Sequence, residues 1–158
     1  MIAHDLLIHR LRQLLWVEER LADELLPLFY EHVEATDLKY GIDRHQLETR
    51  QHVLTVRTIL NLLGQKQDGI ESPALLGLKA EHDRLMEEFP NDLMHCGILA
   101  AAEHLEIAAY TTLRSLANAL GEEDISIRLT EILEQEQYAL ELVHKATAKI
   151  VAEKVENA

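Results

Sequence analysis

The chain has 158 residues, of which 28 are Asp or Glu and 15 are Lys or Arg, so its formal net charge is -13, and only 4% of it is aromatic. That length favours one domain, spanning residues 1–158, able to bury a sizeable core without disulfides or structural zinc. The acidic balance, with no Lys/Arg-rich stripe to offset it, disfavours nucleic acid and anionic membrane surfaces as partners. Cys96 is the only cysteine, which excludes an intramolecular disulfide scaffold and fits a reducing compartment.

Asp5, His4 and Arg10 interrupt the N-terminal stretch, so it lacks the apolar core of a signal peptide. No apolar run approaches the roughly 18 residues of a membrane span. The expectation is a cytoplasmic protein. Gly (6) and Pro (3) are scarce and Val, Ile and Thr do not cluster, which argues against a fold of short strands and turns.

The first predicted helix runs near 5–33, with an apolar seam at Leu7, Leu11, Leu14, Leu21, Leu25 and Leu28 that Glu18 interrupts. Thr36 and Asp37 are read as the cap of a second helix over 37–63, whose seam is Ile42, His45, Thr49, His52, Val56, Ile59 and Leu63. Leu63-Gly64 and Leu120-Gly121 carry the glycine that closes helices with positive φ. Ser72-Pro73 opens a short helix near 73–89, and Pro90-Asn91 stops it and caps the next. The helix over 92–120 places Leu99, Glu103, Glu106, Tyr110, Leu113, Ala117 and Leu120 on one seam. The last, over 123–154, places Ile125, Leu129, Ile132, Glu136, Ala139, Val143, Ala146 and Ile150. Four seamed helices imply an all-α four-helix bundle, and the 64–91 connection is long enough to cross it while carrying its own short helix.

Each seam is apolar except near its middle, where it carries Glu18; His45, Thr49 and His52; Glu103 and Glu106; and Glu136. Glu48 lies one residue off the second seam and shares a sector with His45 and His52. A dry carboxylate costs several kcal/mol or more even after relaxation, so such a layer needs compensation. The only basic residues on these seams are histidines, and oxygen donors with one or two imidazoles suit iron or manganese rather than structural zinc. Carboxylate-bridged di-iron bundles use one Glu from each of two helices and Glu-x-x-His from the other two; that spacing is only partly met here. A metal-free structural or interaction bundle, with the polar layer fixing register, is the alternative reading. A hemerythrin-like site suggested by Glu81-His82-Asp83 is the third, disfavoured because that chemistry needs about five histidines.

Other residues read as structural. Trp16 is expected at a helix interface, and His4, His9, His32, His82, His95 and His144 at the surface or at helix ends. Cys96 reads as a small packed side chain.

The stretch Glu103-His104-Leu105-Glu106-Ile107-Ala108-Ala109-Tyr110-Thr111-Thr112-Leu113, continuing to Leu120-Gly121, resembles the helix-three signature of the YciE/YciF-type ferritin-like stress proteins. His45, Glu48, Thr49 and Leu63-Gly64, then Asp92, Glu18-Glu19-Arg20-Leu21 and Leu133-Glu134-Gln135-Glu136, are similar to the family's other motifs. Leu105, Leu47 and His52 stand where the family more often has tyrosine, an acidic residue and glutamine. The resemblance implies a ferritin-like bundle, often dimeric, with a di-metal centre and a stress-linked role. On this reading Glu18, Glu48, Glu106 and Glu136 would supply oxygen ligands, Glu103 an additional or bridging carboxylate, and His45 and/or His52 nitrogen. Thr49, His104 and Tyr110 would orient the carboxylates. Two iron ions, or manganese, would then act on O2 or peroxide, by analogy.

Overall fold

The computed structural model describes residues 2–157 and, among them, contains helices and no strand. Helix α1 (Ile2–Arg20) continues through a π turn (Leu21–Leu25) into α2 (Leu26–His32), so the three segments form one rod. Then follow α3 (Thr36–Leu62), α4 (Pro73–Glu88), α5 (Asp92–Ala119) and α6 (Glu123–Glu156).

The glycine stops close as Schellman turns. Gly64 (φ 67) and Gly121 (φ 74) take the left-handed conformation. The amides of Gly64 and Gln65 donate to Asn61 and Leu60 carbonyls, and those of Gly121 and Glu122 to Asn118 and Ala117. Asn91 caps α5 by accepting from the Met94 amide at 3.0 Å.

The start of α3 differs from the sequence expectation. Thr36 and Asp37 both lie inside the helix, and its N-cap, Ala35, makes no side-chain bond. Asp92 instead holds the turn that leads into the helix, accepting from the Glu34 and Ala35 amides at 2.9 and 2.8 Å. One carboxylate thus fastens the α2–α3 turn to the head of α5.

The π turn also corrects the first seam. A wide turn accommodates an extra residue, so the buried face advances by one position: Leu25 and Leu26 are buried together, Phe29 is 1% exposed, and Leu28 is only half-buried. The Gln46 side chain of α3 donates to the Ala22 carbonyl within this turn at 2.8 Å.

Two apolar clusters fill the interior. One joins Leu7–Leu15 of α1 with the C-terminal halves of α3 and α5 and the N-terminal part of α6, through residues such as Ile59, Leu113 and Leu129. The other gathers Val17–Phe29, Ile42, Leu75, Leu99 and Ile150. This partition makes α1 parallel to α6 and antiparallel to α3 and α5. The 63–91 connection returns the chain from one end of the bundle to the other, and α4 packs Leu75, Leu78 and Leu85 onto the second cluster. Along the way Gly69 lies against Trp16, and the Ile70 amide donates to the Arg12 carbonyl at 3.0 Å. Trp16 is half-buried, packed on the second cluster with the Arg20 guanidinium 5.1 Å from its ring centroid.

Candidate metal centre

The polar layer lies between the two apolar clusters. Helical spacing puts Glu18 on α1, His45 and His52 two turns apart on α3, Glu103 and Glu106 one turn apart on α5, and Glu136 on α6. All six are buried, and Glu18, Glu106 and Glu136 have no exposed surface.

Their donor atoms form two groups. His45, Glu103, Glu106 and Glu136 each bring one ligand atom within 4.8 Å of the others, and Glu18, His52 and Glu136 do the same. Glu136 belongs to both. His45 Nε2 lies 2.7 Å from Glu103 Oε1 and 3.7 Å from Glu136 Oε2. His52 Nδ1 lies 2.9 Å from Glu136 Oε1 and 3.6 Å from Glu18 Oε2. These approaches are close, but the ring N–H bonds do not point at the oxygens: His45 Nε2, His52 Nδ1, both Glu136 oxygens and both Glu106 oxygens lack a hydrogen-bond partner. Buried polar atoms are otherwise almost always paired, so this concentration of unpaired lone pairs fits a cation between them.

The protonation pattern follows from the crowding. Burial pushes His45 down, but Glu103, Glu136 and Glu18 outweigh it and raise its pKa from 6.5 to about 9. Burial is likewise overcome at His52, where Glu136 and Glu18 raise the pKa to about 11. Burial holds Glu103 well above the usual carboxylate range, with the Glu136 charge adding to it and His45 opposing. It does the same at Glu106, reinforced by Glu136 and Glu18. Glu136 alone goes down, to about 2, because contacts with Glu103, His52 and His45 overcome its burial. Without a cation the layer therefore balances its own charge, with imidazolium beside carboxylate and protons on Glu103 and Glu106.

Three surrounding groups set orientation. Tyr110, fully buried, donates its hydroxyl to Glu18 Oε1 at 2.6 Å. Burial, then the Glu18 charge, holds the phenol well above its ordinary pKa, so it stays a donor. Gln135 Oε1 lies 2.6 Å from His52 Nε2 and fixes that ring from behind. Thr49 is buried but donates to its own helix, at the His45 carbonyl.

Two expected residues sit elsewhere. Glu48 is outside both groups; its Oε1 lies 3.4 Å from Arg44 Nε one turn back, because its position one residue off the seam turns it toward the helix flank. His104 is exposed, with its ring centroid 6.2 Å from that of His144, and reaches no carboxylate of the layer. Its neighbour Glu103 takes the inward face, and adjacent helical residues diverge by about 100°.

Sequence reasoning missed Gln135, which sits beside Glu136 with no periodic mark of its own. It also expected His82 and His95 at the surface or at helix ends; His95 does lie in the first turn of α5, but both are buried, 2% and 1% exposed, with rings 4.9 and 5.8 Å from Phe29. The signal was present: His95 extends the α5 seam one step before Leu99, and His82 follows Leu75 and Leu78 at helical spacing. Cys96 is buried in the second apolar cluster, where burial raises its thiol pKa.

The chain shares this architecture with several solved structures. YcfI from Rhodopseudomonas palustris superimposes with a TM-score of 0.86 at 33% identity, over 90% of this chain and 92% of that one. The E. coli stress protein YciF gives a TM-score of 0.86 at 24% identity, covering 95% and 97% of the two chains. A dodecameric thioferritin of Bacteroides fragilis, related to bacterioferritin, gives 0.75 at 16% identity over 96% and 90%. The last two likenesses establish the ferritin-like fold. No curated protein matches the chain. Residues 2–156 match the sequence profile described as "Domain of unknown function (DUF892)", and with these structural neighbours the chain belongs to that family, of the YciE/YciF type.

Proposed function

We propose that the protein is a di-metal carboxylate protein of the ferritin-like class, holding two iron ions, or manganese, in the polar layer. One would be held by His45, Glu103 and Glu106, the other by Glu18 and His52, with Glu136 shared. The observation that carries this reading is the set of buried oxygen and nitrogen atoms without partners, arranged as two groups with one common carboxylate. Four carboxylates offset two divalent cations, and the donor set contains no thiolate. Glu48 joins the proposal as a reserve carboxylate: it lines the same cavity as His45 and Glu103, held there by Arg44.

A redox-active pair bound here would supply two electrons to O2 or peroxide. The chain's own contribution is positional. Tyr110 fixes one oxygen of Glu18, Gln135 fixes the His52 ring, and the apolar clusters pack on both sides of the layer. A stress-linked, cytoplasmic role follows from the family resemblance and the acidic, disulfide-free chain. Tyr40, Leu47 and Leu54 recur at seven-residue spacing and are exposed on α3, which supports a homodimer; light scattering on the eluting protein tests it.

The decisive experiment is elemental analysis of protein made with iron and manganese both available. Two equivalents per chain are expected, one for Glu106→Ala, and loss of both for Glu136→Ala. Less than about 0.2 equivalent in the native chain, with a melting temperature indifferent to chelator, refutes the reading and leaves the metal-free bundle. The self-balancing protonation of the layer is what makes that second reading physically viable.

A further inference from the structure

A second group of histidines lies apart from the polar layer, where the end of α2, the crossover helix α4 and the head of α5 meet. His95 precedes Glu103 by eight residues, about 12 Å along α5. His82 and His95 are buried with ring centres 5.4 Å apart, and Phe29, itself buried, packs against both. His32 is exposed, and its ring centre lies 6.3 Å from that of His95.

The hydrogen bonds decide which nitrogen of each ring carries the proton. His95 Nδ1 lies 3.1 Å from the Asn91 carbonyl oxygen, and His32 Nδ1 lies 2.8 Å from that of Leu28. A carbonyl only accepts, so each Nδ1 is the donor. His82 Nδ1 lies 3.1 Å from Asp83 Oδ1; Lys79, followed by His82, holds that carboxyl below its usual range, so it too accepts. A neutral imidazole protonated at Nδ1 presents a bare lone pair at Nε2. On His82 and His95 this atom is buried and has no hydrogen-bond partner. Burial, with His82 and His32 adding to it, lowers the His95 pKa against its bond to Asn91, which keeps that ring neutral.

Donation of one ring N–H to a carbonyl or carboxylate, with the other nitrogen left free, is how metal-binding histidines are held. The spacing fits as well. An imidazole bound at about 2.0–2.1 Å puts its ring centre roughly 3.2 Å from a zinc ion, so two such rings at the tetrahedral angle have centres about 5.2 Å apart. His82 and His95 stand at 5.4 Å. His32, on the solvent side, has about 1 Å further to come and the room to turn.

We infer that His82 and His95, joined by His32, hold one divalent ion of the zinc class through their Nε2 atoms. The donor set separates this site from the layer: imidazoles without carboxylate oxygen or thiolate suit zinc rather than magnesium, calcium or manganese, and three of them leave a fourth position to water. An ion here ties α4 to the first rod and to α5. Its binding does not depend on the polar layer being occupied.

The test follows the imidazole nitrogens of the full chain, labelled with nitrogen-15 at histidine and freed of metal with chelator, through a zinc(II) titration. Before zinc, the proton of His82 and of His95 should reside on Nδ1. With zinc, the Nε2 signals of His32, His82 and His95 should shift together, and amide exchange in α4 should slow. Asp83→Ala, at an exposed position, should weaken zinc binding about tenfold and leave the metal-free melting temperature nearly unchanged. His32→Ala, also exposed, should weaken it further than Asp83→Ala does. His95→Gln should silence the response at His82 while the iron content of the chain stays native. Protonation of Nε2 at His82 or His95 in the metal-free chain, signals there unmoved by excess zinc, or unchanged zinc affinity in either surface variant would overturn the inference. Zinc shifts confined to His45 and His52 would put the ion in the polar layer and overturn it too.

Discussion

Replacing Tyr110 by Phe removes one oxygen from the interior and leaves the aromatic ring in place. The lost atom is the donor to Glu18 Oε1 at 2.6 Å, in a pair where neither residue has exposed surface. Because the ring remains, the cavity term is small. What is lost is a short hydrogen bond to a carboxylate, and Glu18 Oε2 already lacks a partner. Hydrogen bonds to charged groups contribute about 1.5–3 kcal/mol, and a carboxylate left without its donor stands at the upper part of that range. For a chain of this length a loss of about 2 kcal/mol lowers the melting temperature by roughly 4–8 °C. The assay is chemical denaturation of the chelated protein, so that metal affinity does not enter. Repeating the substitution in a Glu18→Leu background isolates the pair, and there Tyr110→Phe should cost little. A cost below about 0.5 kcal/mol in the native background, or the same cost in both backgrounds, would refute the argument that Tyr110 acts through Glu18.

Three further outcomes follow from the geometry. Gly69→Ala would put a Cβ 2.9 Å from Trp16 Cβ and 3.1 Å from its Cα, neither of which can swing aside, so a loss of about 1–3 kcal/mol is expected, with faster amide exchange at Ile70; an unchanged melting curve would contradict it. Asp92→Ala strips the Glu34 and Ala35 amides of their acceptor and should cost about 1–2 kcal/mol, read by denaturation and by exchange at those two amides, whereas native exchange rates would show that the α2–α3 turn is held otherwise. Cation binding should release protons, because Glu103 and Glu106 are held well above the usual range and His45 and His52 titrate near 9 and 11. Groups with raised pKa keep their protons below it, so affinity should fall as pH falls from about 9, roughly tenfold per unit for each proton displaced; identical binding heats in buffers of different ionisation enthalpy would exclude this.

Periodicity revealed the bundle because four amphipathic stripes leave a chain few other ways to bury them. Glycines 64 and 121 fixed two helix ends through backbone geometry that almost no other residue adopts. The layer was legible for the same reason: Glu18, His45, His52, Glu103, Glu106 and Glu136 break stripes that are otherwise mostly apolar, and interruptions on four helices at one height stand out. What escaped reading was decided by three-dimensional neighbours. Glu48 and Glu103 look equally acidic in sequence, yet one residue of helical phase turns the first toward Arg44 and the second inward. Thr36 has the chemistry of a cap, but it lies inside the helix, and Asp92, far along the chain, holds the two amides just before it. His82 and His95 were hidden because their burial depends on where the crossover helix lands, which no local pattern states.

The wide turn at Leu21–Leu25 bears on how such a chain can change over evolutionary time. It holds one residue more than a regular helix would need, so the stretch before it is phased to the carboxylates and the stretch after it to Phe29 and the crossover helix. Deleting a single residue here would restore regular pitch and leave both stretches in phase, with Glu18 and Phe29 still facing the interior, whereas the same deletion elsewhere in the rod would rotate one stretch against the other by about 100°. The turn is thus the one place in this rod where a residue can be lost without moving either end. Beyond it, substitutions can accumulate one at a time, but a single-residue deletion would uncouple the two ends of the molecule.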